Sequence, residues 1–60
     1  MKVVEATRKG LAQLAKGEPH EASVRSAEVL VQDERGWFWL VTFTRESAQH
    51  PWEYQRMRYA

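Results

Sequence analysis

The chain contains no cysteine. That excludes disulfide staples, thiolate metal sites and cysteine nucleophiles together. It also lacks any apolar run long enough to span a membrane, the longest stretch being residues 37–41. A dominant charge sign is missing as well. Nine Lys and Arg against eight Asp and Glu leave a formal charge of +1, which fits neither a polybasic nucleic-acid binder nor an acidic tail. No export pattern follows Met1-Lys2, since Val3-Val4 give way at once to Glu5, and a cytoplasmic location is the expectation. No repeat and no phosphate-cradling loop is present; Gly10 and Gly17 follow no strand.

The 60 residues that are there form one domain, 1–60. Surface scaling gives roughly 10,000 Å² for the unfolded chain and roughly 4,000 Å² for a folded monomer. Apolar burial then contributes on the order of 90 kcal/mol, and ordering the chain costs about as much, at roughly 1.5 kcal/mol per residue. A lone copy balances near zero. Without disulfides, association with another chain is the available remedy.

The spacing predicts a helix over 3–16. Val4, Thr7, Leu11 and Leu14 make one stripe, widened by Ala15, while Glu5, Arg8, Lys9, Gln13 and Lys16 lie away from it. Gly17 occupies the place of a helix-ending glycine, with Pro19 two residues on. Gly10 reads as a tolerated, exposed interruption; close approach of the helix to a sheet is the alternative.

Residues 22–33 alternate as a strand, with Ala27, Val29 and Val31 on one side and Glu28, Leu30 and Gln32 on the other. Asp33-Glu34-Arg35-Gly36 then reads as a three-residue hairpin loop with Gly36 as its left-handed residue. The register that follows pairs Val31 with Trp39, Val29 with Val41 and Ala27 with Phe43, all apolar or small. A second strand is expected over 37–45. After a loop at 47–51, a third strand is expected over 52–59, with Trp52, Tyr54, Arg56 and Arg58 alternating against Glu53, Gln55, Met57 and Tyr59. The fold class is α+β, an N-terminal helix packed on a three-stranded antiparallel meander.

The same register sets Leu30 opposite Leu40 and Gln32 opposite Phe38 on the face turned from the helix. A solvated sheet face is ordinarily polar, so this apolar patch is the most informative feature of the sequence.

Catalysis finds little support. Ser23, Ser26 and Ser47 stand in no nucleophile context, and His20 and His50 read as solvated loop residues beside prolines. His20-Glu21 has no further ligands at metal-like spacing. The expectation is a chain that is not an enzyme and holds no metal or cofactor. Two binding modes remain. Aromatic and arginine residues favour interface centres, which makes Leu30, Phe38, Leu40, Trp52 and Tyr54 the expected protein interface, with a homodimer the expected assembly and another protein a further partner. Alternatively, Arg45, Tyr54, Arg56, Arg58 and Tyr59 form a candidate contact for single-stranded nucleic acid, through base stacking and phosphate pairing.

The helix ending in Leu14-Ala15-Lys16-Gly17-Glu18-Pro19, the strand opened by Gly36-Trp37 and the terminal Tyr54-Gln55-Arg56-Met57-Arg58-Tyr59 resemble PepSY and cystatin-like helix-plus-meander domains. They are also similar to the core of the gas vesicle protein GvpO family. The resemblance implies a non-enzymatic accessory, inhibitory or binding domain.

Overall fold

In the computed structural model, which describes residues 1–17 and 20–60, one helix lies across one face of a three-stranded antiparallel sheet. The elements are α1 (Val3–Lys16), β1 (Ser26–Gln32), β2 (Phe38–Thr44) and β3 (Glu53–Tyr59). The sheet order is β1-β2-β3, so β2 is central and both other strands are edges.

The β1–β2 hairpin closes as its loop residues dictate. Asp33 N donates to Trp37 O at 2.9 Å, and Gly36 N donates to Asp33 O at 3.0 Å. Gly36 adopts φ 88°, a conformation that a side chain would strain. The Asp33 carboxylate braces the loop by accepting from the amides of Arg35 and Trp37, each at 2.9 Å. The pairing is the expected one, with Val31 opposite Trp39, Val29 opposite Val41 and Ala27 opposite Phe43. These side chains face the helix. Val31, Val41 and Phe43 are buried with Ala6 and Leu14, and Ala27, Val29 and Trp39 pack around them.

All three strands are shorter than the sequence suggests, β1 most of all. The segment expected to open the strand at 22–33 turns instead: Val24 N donates to Glu21 O at 3.0 Å, and β1 begins at Ser26. In β3 the ladder carries a bulge. Thr42 pairs with Arg56 but Phe43 pairs with Tyr54, leaving Gln55 as the extra residue. A bulge reverses the phase of alternation. Tyr54 therefore joins Met57 on the helix side, and only Arg56 and Arg58 of the expected Trp52-Tyr54-Arg56-Arg58 set remain on the opposite face.

The helix is rotated from the expected stripe. Its buried residues are Ala6, Gly10 and Leu14, whereas Val4 is 79% and Leu11 37% exposed, and Ala15 is exposed. Gly10 is the reason. It is buried against the sheet, and a Cβ there would run into the ring edge of Phe43 and lie 3.3 Å from Val29 Cγ2. The close-approach reading of Gly10 therefore replaces the exposed one. Gly17 ends the helix in extended conformation, φ −74°, so it makes no left-handed cap; Glu18 and Pro19 lie outside the described residues.

Replacing Gly10 with Ala offers about 1 kcal/mol of helix propensity. It also forces a methyl group against a ring that is fully buried, and overpacking of this kind costs about 1–3 kcal/mol. G10A is expected to lower the urea midpoint, and Phe43→Leu in the same chain to recover part of the loss. A G10A variant more stable than wild type would contradict this seating.

Candidate functional site

Side chains alternate across the sheet, so the face turned from α1 carries Glu28, Leu30 and Gln32 from β1, Phe38, Leu40 and Thr42 from β2, and Arg56 and Arg58 from β3. These fall into rows across the strands. Leu30, Leu40 and Arg58 form one, and Glu28, Thr42 and Arg56 the next. Leu30 is 46% and Phe38 49% exposed, and Leu40 between them is half-buried. Thr42, flanked by the long side chains of its row, is buried at 5%. The ion pairs among the described residues are Lys9–Glu5 and His50–Glu46, so Arg56 and Arg58 carry unpaired guanidinium groups beside an apolar strip.

Of the expected protein interface, Leu30, Phe38 and Leu40 thus share one face. Trp52 and Tyr54 do not share it; both pack against the core, with the Tyr54 ring edge-on to Phe43 at 6.5 Å between centroids. The expected nucleic-acid set divides likewise. Arg45 is spent internally: Nε donates to Val24 O at 2.8 Å, Nη2 donates to Glu21 O at 3.0 Å, and the guanidinium lies 4.3 Å from the Trp52 ring centroid. Tyr59 stacks on Trp39 at 4.0 Å. Arg56 and Arg58 alone of the five lie on the open face.

Two further clusters draw on residues the sequence reading did not combine. Near the hairpin, Tyr59 stacks on Trp39 and meets Trp37 edge-on at 6.0 Å. A shallow cleft of about 550 Å³ opens beside it, lined by Arg35, Gly36, Trp37, Phe38, Tyr59 and Ala60. The bulge-free end of β3 brings these aromatics together by pairing Tyr59 with Trp39 across β2–β3. In the β2–β3 loop, Ser47 Oγ lies 2.6 Å from His50 Nδ1, while His50 Nε2 lies 3.5 Å from Glu46 Oε2. A hydroxyl, an imidazole and a carboxylate so joined invite comparison with a nucleophile and its base. All three come from one loop, Glu46 is 86% exposed at its side chain, and water surrounds them. Ser47 Oγ also accepts from Gln49 N at 3.3 Å. The network ties the loop together, and a pair this exposed is weak. No group of three His, Asp or Glu side chains suited to a metal ion occurs among the described residues, and no helix among them is long and apolar enough to cross a membrane.

Comparison with protein-family models, curated proteins and solved structures gives no significant match.

Asp33 carries a carboxyl tuned by its surroundings. The Asp33 carboxyl is held below its ordinary value of 3.8, chiefly because the Trp39 indole donates to it, at 3.0 Å. The Trp37 and Arg35 amides add to the effect, while partial desolvation opposes it. A carboxyl depressed in the folded state takes its proton more readily when unfolded. Its stabilisation is therefore full at neutral pH, fades as pH falls below 3.8 and is lost below the folded value. Asp33→Asn, which puts an amide where an acceptor is needed, is expected to be less stable than wild type in urea titrations at neutral pH, followed by tryptophan fluorescence. The gap between the two should narrow as pH falls below 3.8; a gap independent of pH would remove the charge from the explanation.

Proposed function

We propose that the chain is a non-enzymatic protein-binding or inhibitory accessory module, and that it works as a homodimer through the open face of its sheet. The observation that carries this reading is the strip of Leu30, Phe38 and Leu40, nearly half exposed at both flanks, on a face that no helix or strand among the described residues covers. Total accessible surface supports it: the molecule exposes 4508 Å², against roughly 4,000 Å² for a typical monomer of its mass.

A second copy suits this face because of its rows. A two-fold axis between two packed sheets, running parallel to the strands, turns one sheet so that β1 lies over β3 of the other. Leu40 then meets Leu40 and Thr42 meets Thr42. Glu28 of each copy faces Arg56 of the other, because the two occupy opposite ends of the same row. Such isologous packing is self-complementary in shape and in charge.

Light scattering tests the reading. Wild type is expected at the mass of two chains, and Leu40→Glu and Phe38→Lys at the mass of one, with circular dichroism showing both folded. Glu28→Arg and Arg56→Glu are each expected to weaken the dimer and, combined in one chain, to restore it. A monomeric wild type, or a folded L40E chain that still dimerises, would refute the assignment of this face.

A further inference from the structure

The two sheet edges differ. Asp33 N bonds to Trp37 O and Arg45 N bonds to Arg25 O at 3.0 Å. The alternation of an antiparallel ladder therefore turns the backbone groups of odd-numbered β1 residues toward β2 and those of Glu28, Leu30 and Gln32 outward. The helix closes the hairpin half of that outward edge. Lys9 Nζ donates to Gln32 O at 2.7 Å, and Gln13 Nε2 reaches Leu30 O at 3.5 Å. Covering of this kind is how sheet edges are protected from further pairing.

At β3 the same reasoning gives an open edge. Ala60 N donates to Phe38 O at 3.1 Å, so Arg58 and Arg56 turn their backbone groups to β2, and those of Met57 and Tyr59 point away from the sheet. Among the described residues no side chain caps them. A strand seated there would pair with Met57 and Tyr59 through the backbone. Its residues opposite Arg56 and Arg58 would stand in non-hydrogen-bonded positions, where side chains approach most closely.

Charge decides the occupant. If two copies paired β3 to β3 in antiparallel fashion about a two-fold axis, the registers that pair Met57 with Met57 or with Tyr59 would set Arg58 against Arg56 or against itself. Like charges directly opposite are destabilising. Both guanidinium groups lack a carboxylate among the described residues. On the helix side the flanking β3 residues are Met57, half-buried in the core cluster, and Tyr59, 61% exposed.

We propose that the β3 edge accepts an extended segment of another protein by strand addition, and that this segment carries Asp or Glu at alternate positions, facing Arg56 and Arg58, with apolar residues between them beside Met57 and Tyr59. Main-chain bonds supply the affinity of such additions and alternate side chains the specificity. The outward backbone groups lie off the dimer strip, but Arg56 and Arg58 border it, so the dimer is measured on the same variants.

The probe is a fluorescein-labelled peptide of alternating valine and glutamate, titrated by anisotropy. A control peptide has the same composition with its glutamates contiguous. Wild type is expected to bind the alternating peptide saturably and the control at least about tenfold more weakly. Arg58→Glu is expected to lose about tenfold for the glutamate peptide and to gain a comparable factor for the valine-lysine counterpart, as reversal of a cross-strand charge pair implies. The same two-fold axis lays Arg58 over Leu30 of the other copy, so light scattering on the variant reads the dimer directly, and Met57→Pro, which removes an outward amide and leaves the open face unchanged, tests the edge alone. Amide exchange by NMR gives the direct reading: saturation with peptide should protect the Met57 and Tyr59 amides, the Arg56 and Arg58 amides being protected already. Equal binding of the contiguous peptide, indifference to Arg58→Glu, or unprotected Met57 and Tyr59 amides at saturation would overturn the proposal.

Discussion

The seating of Gly10 on the Phe43 ring is the constraint from which the rest of the molecule follows. Because nothing larger than a hydrogen fits there, the helix comes down close to the sheet at one point and its rotation is fixed. Ala6 and Leu14, four residues to either side, turn inward with it. The same rotation carries Lys9 and Gln13 onto one flank, where they reach the outer carbonyls of β1, and leaves Val4 and Leu11 on the other, toward solvent. A single close contact thus decides which helix side chains stabilise the core, which sheet edge is closed and which apolar groups stay wet.

This explains what the sequence discloses and what it conceals. The hairpin is legible because its determinants are local. Asp33 accepts from the loop amides, Gly36 alone tolerates a positive φ, and the length of the loop sets the register of every residue from Ala27 to Phe43. The exposed strip of Leu30, Phe38 and Leu40 follows from that register with no further information. The helix face is not legible in the same way. Val4, Thr7, Leu11 and Leu14 form a better hydrophobic stripe than Ala6, Gly10 and Leu14 do. Local periodicity ranks side chains by apolarity, whereas the sheet selects the helix face that permits close packing around a large ring. A glycine in mid-helix carries the clue, and its meaning depends on Phe43, 33 residues away.

The bulge at Gln55 illustrates the other limit. Strict alternation through 52–59 joins Tyr54, Arg56 and Arg58 on one face and suggests an aromatic-basic surface. One extra residue in the strand breaks that set, sending the tyrosine into the core beside Phe43 and leaving the arginines outside. Nothing in the residue types at 53–56 announces this shift. Its driving force is tertiary: an aromatic ring is worth more buried against the core than stranded among guanidinium groups. The basic residues are likewise not equivalent, although the sequence presents them alike. Arg45 uses its planar fork to hold two carbonyls of the segment before β1 while lying on Trp52, a role for which lysine lacks the geometry. Arg56 and Arg58 hold nothing among the described residues.

That difference bears on how a protein this small acts. A sheet of three strands with one helix has a covered face, an open face, a capped edge and a bare edge. The open face and the bare edge are both accessible without dismantling the core. They meet along β3, whose side chains look onto the face while its backbone looks out from the edge. Arg56 stands at that junction, in the row that includes Glu28, and Arg58 lies one row toward the hairpin. In the proposed dimer a second copy would cover the strip and engage Arg56, leaving the outward backbone groups of Met57 and Tyr59 free. Two such edges in one dimer, related by its two-fold axis, would allow a partner carrying two suitable strands to bind with the gain in avidity that linked sites confer, and would give dimerisation a use beyond stabilising so small a core.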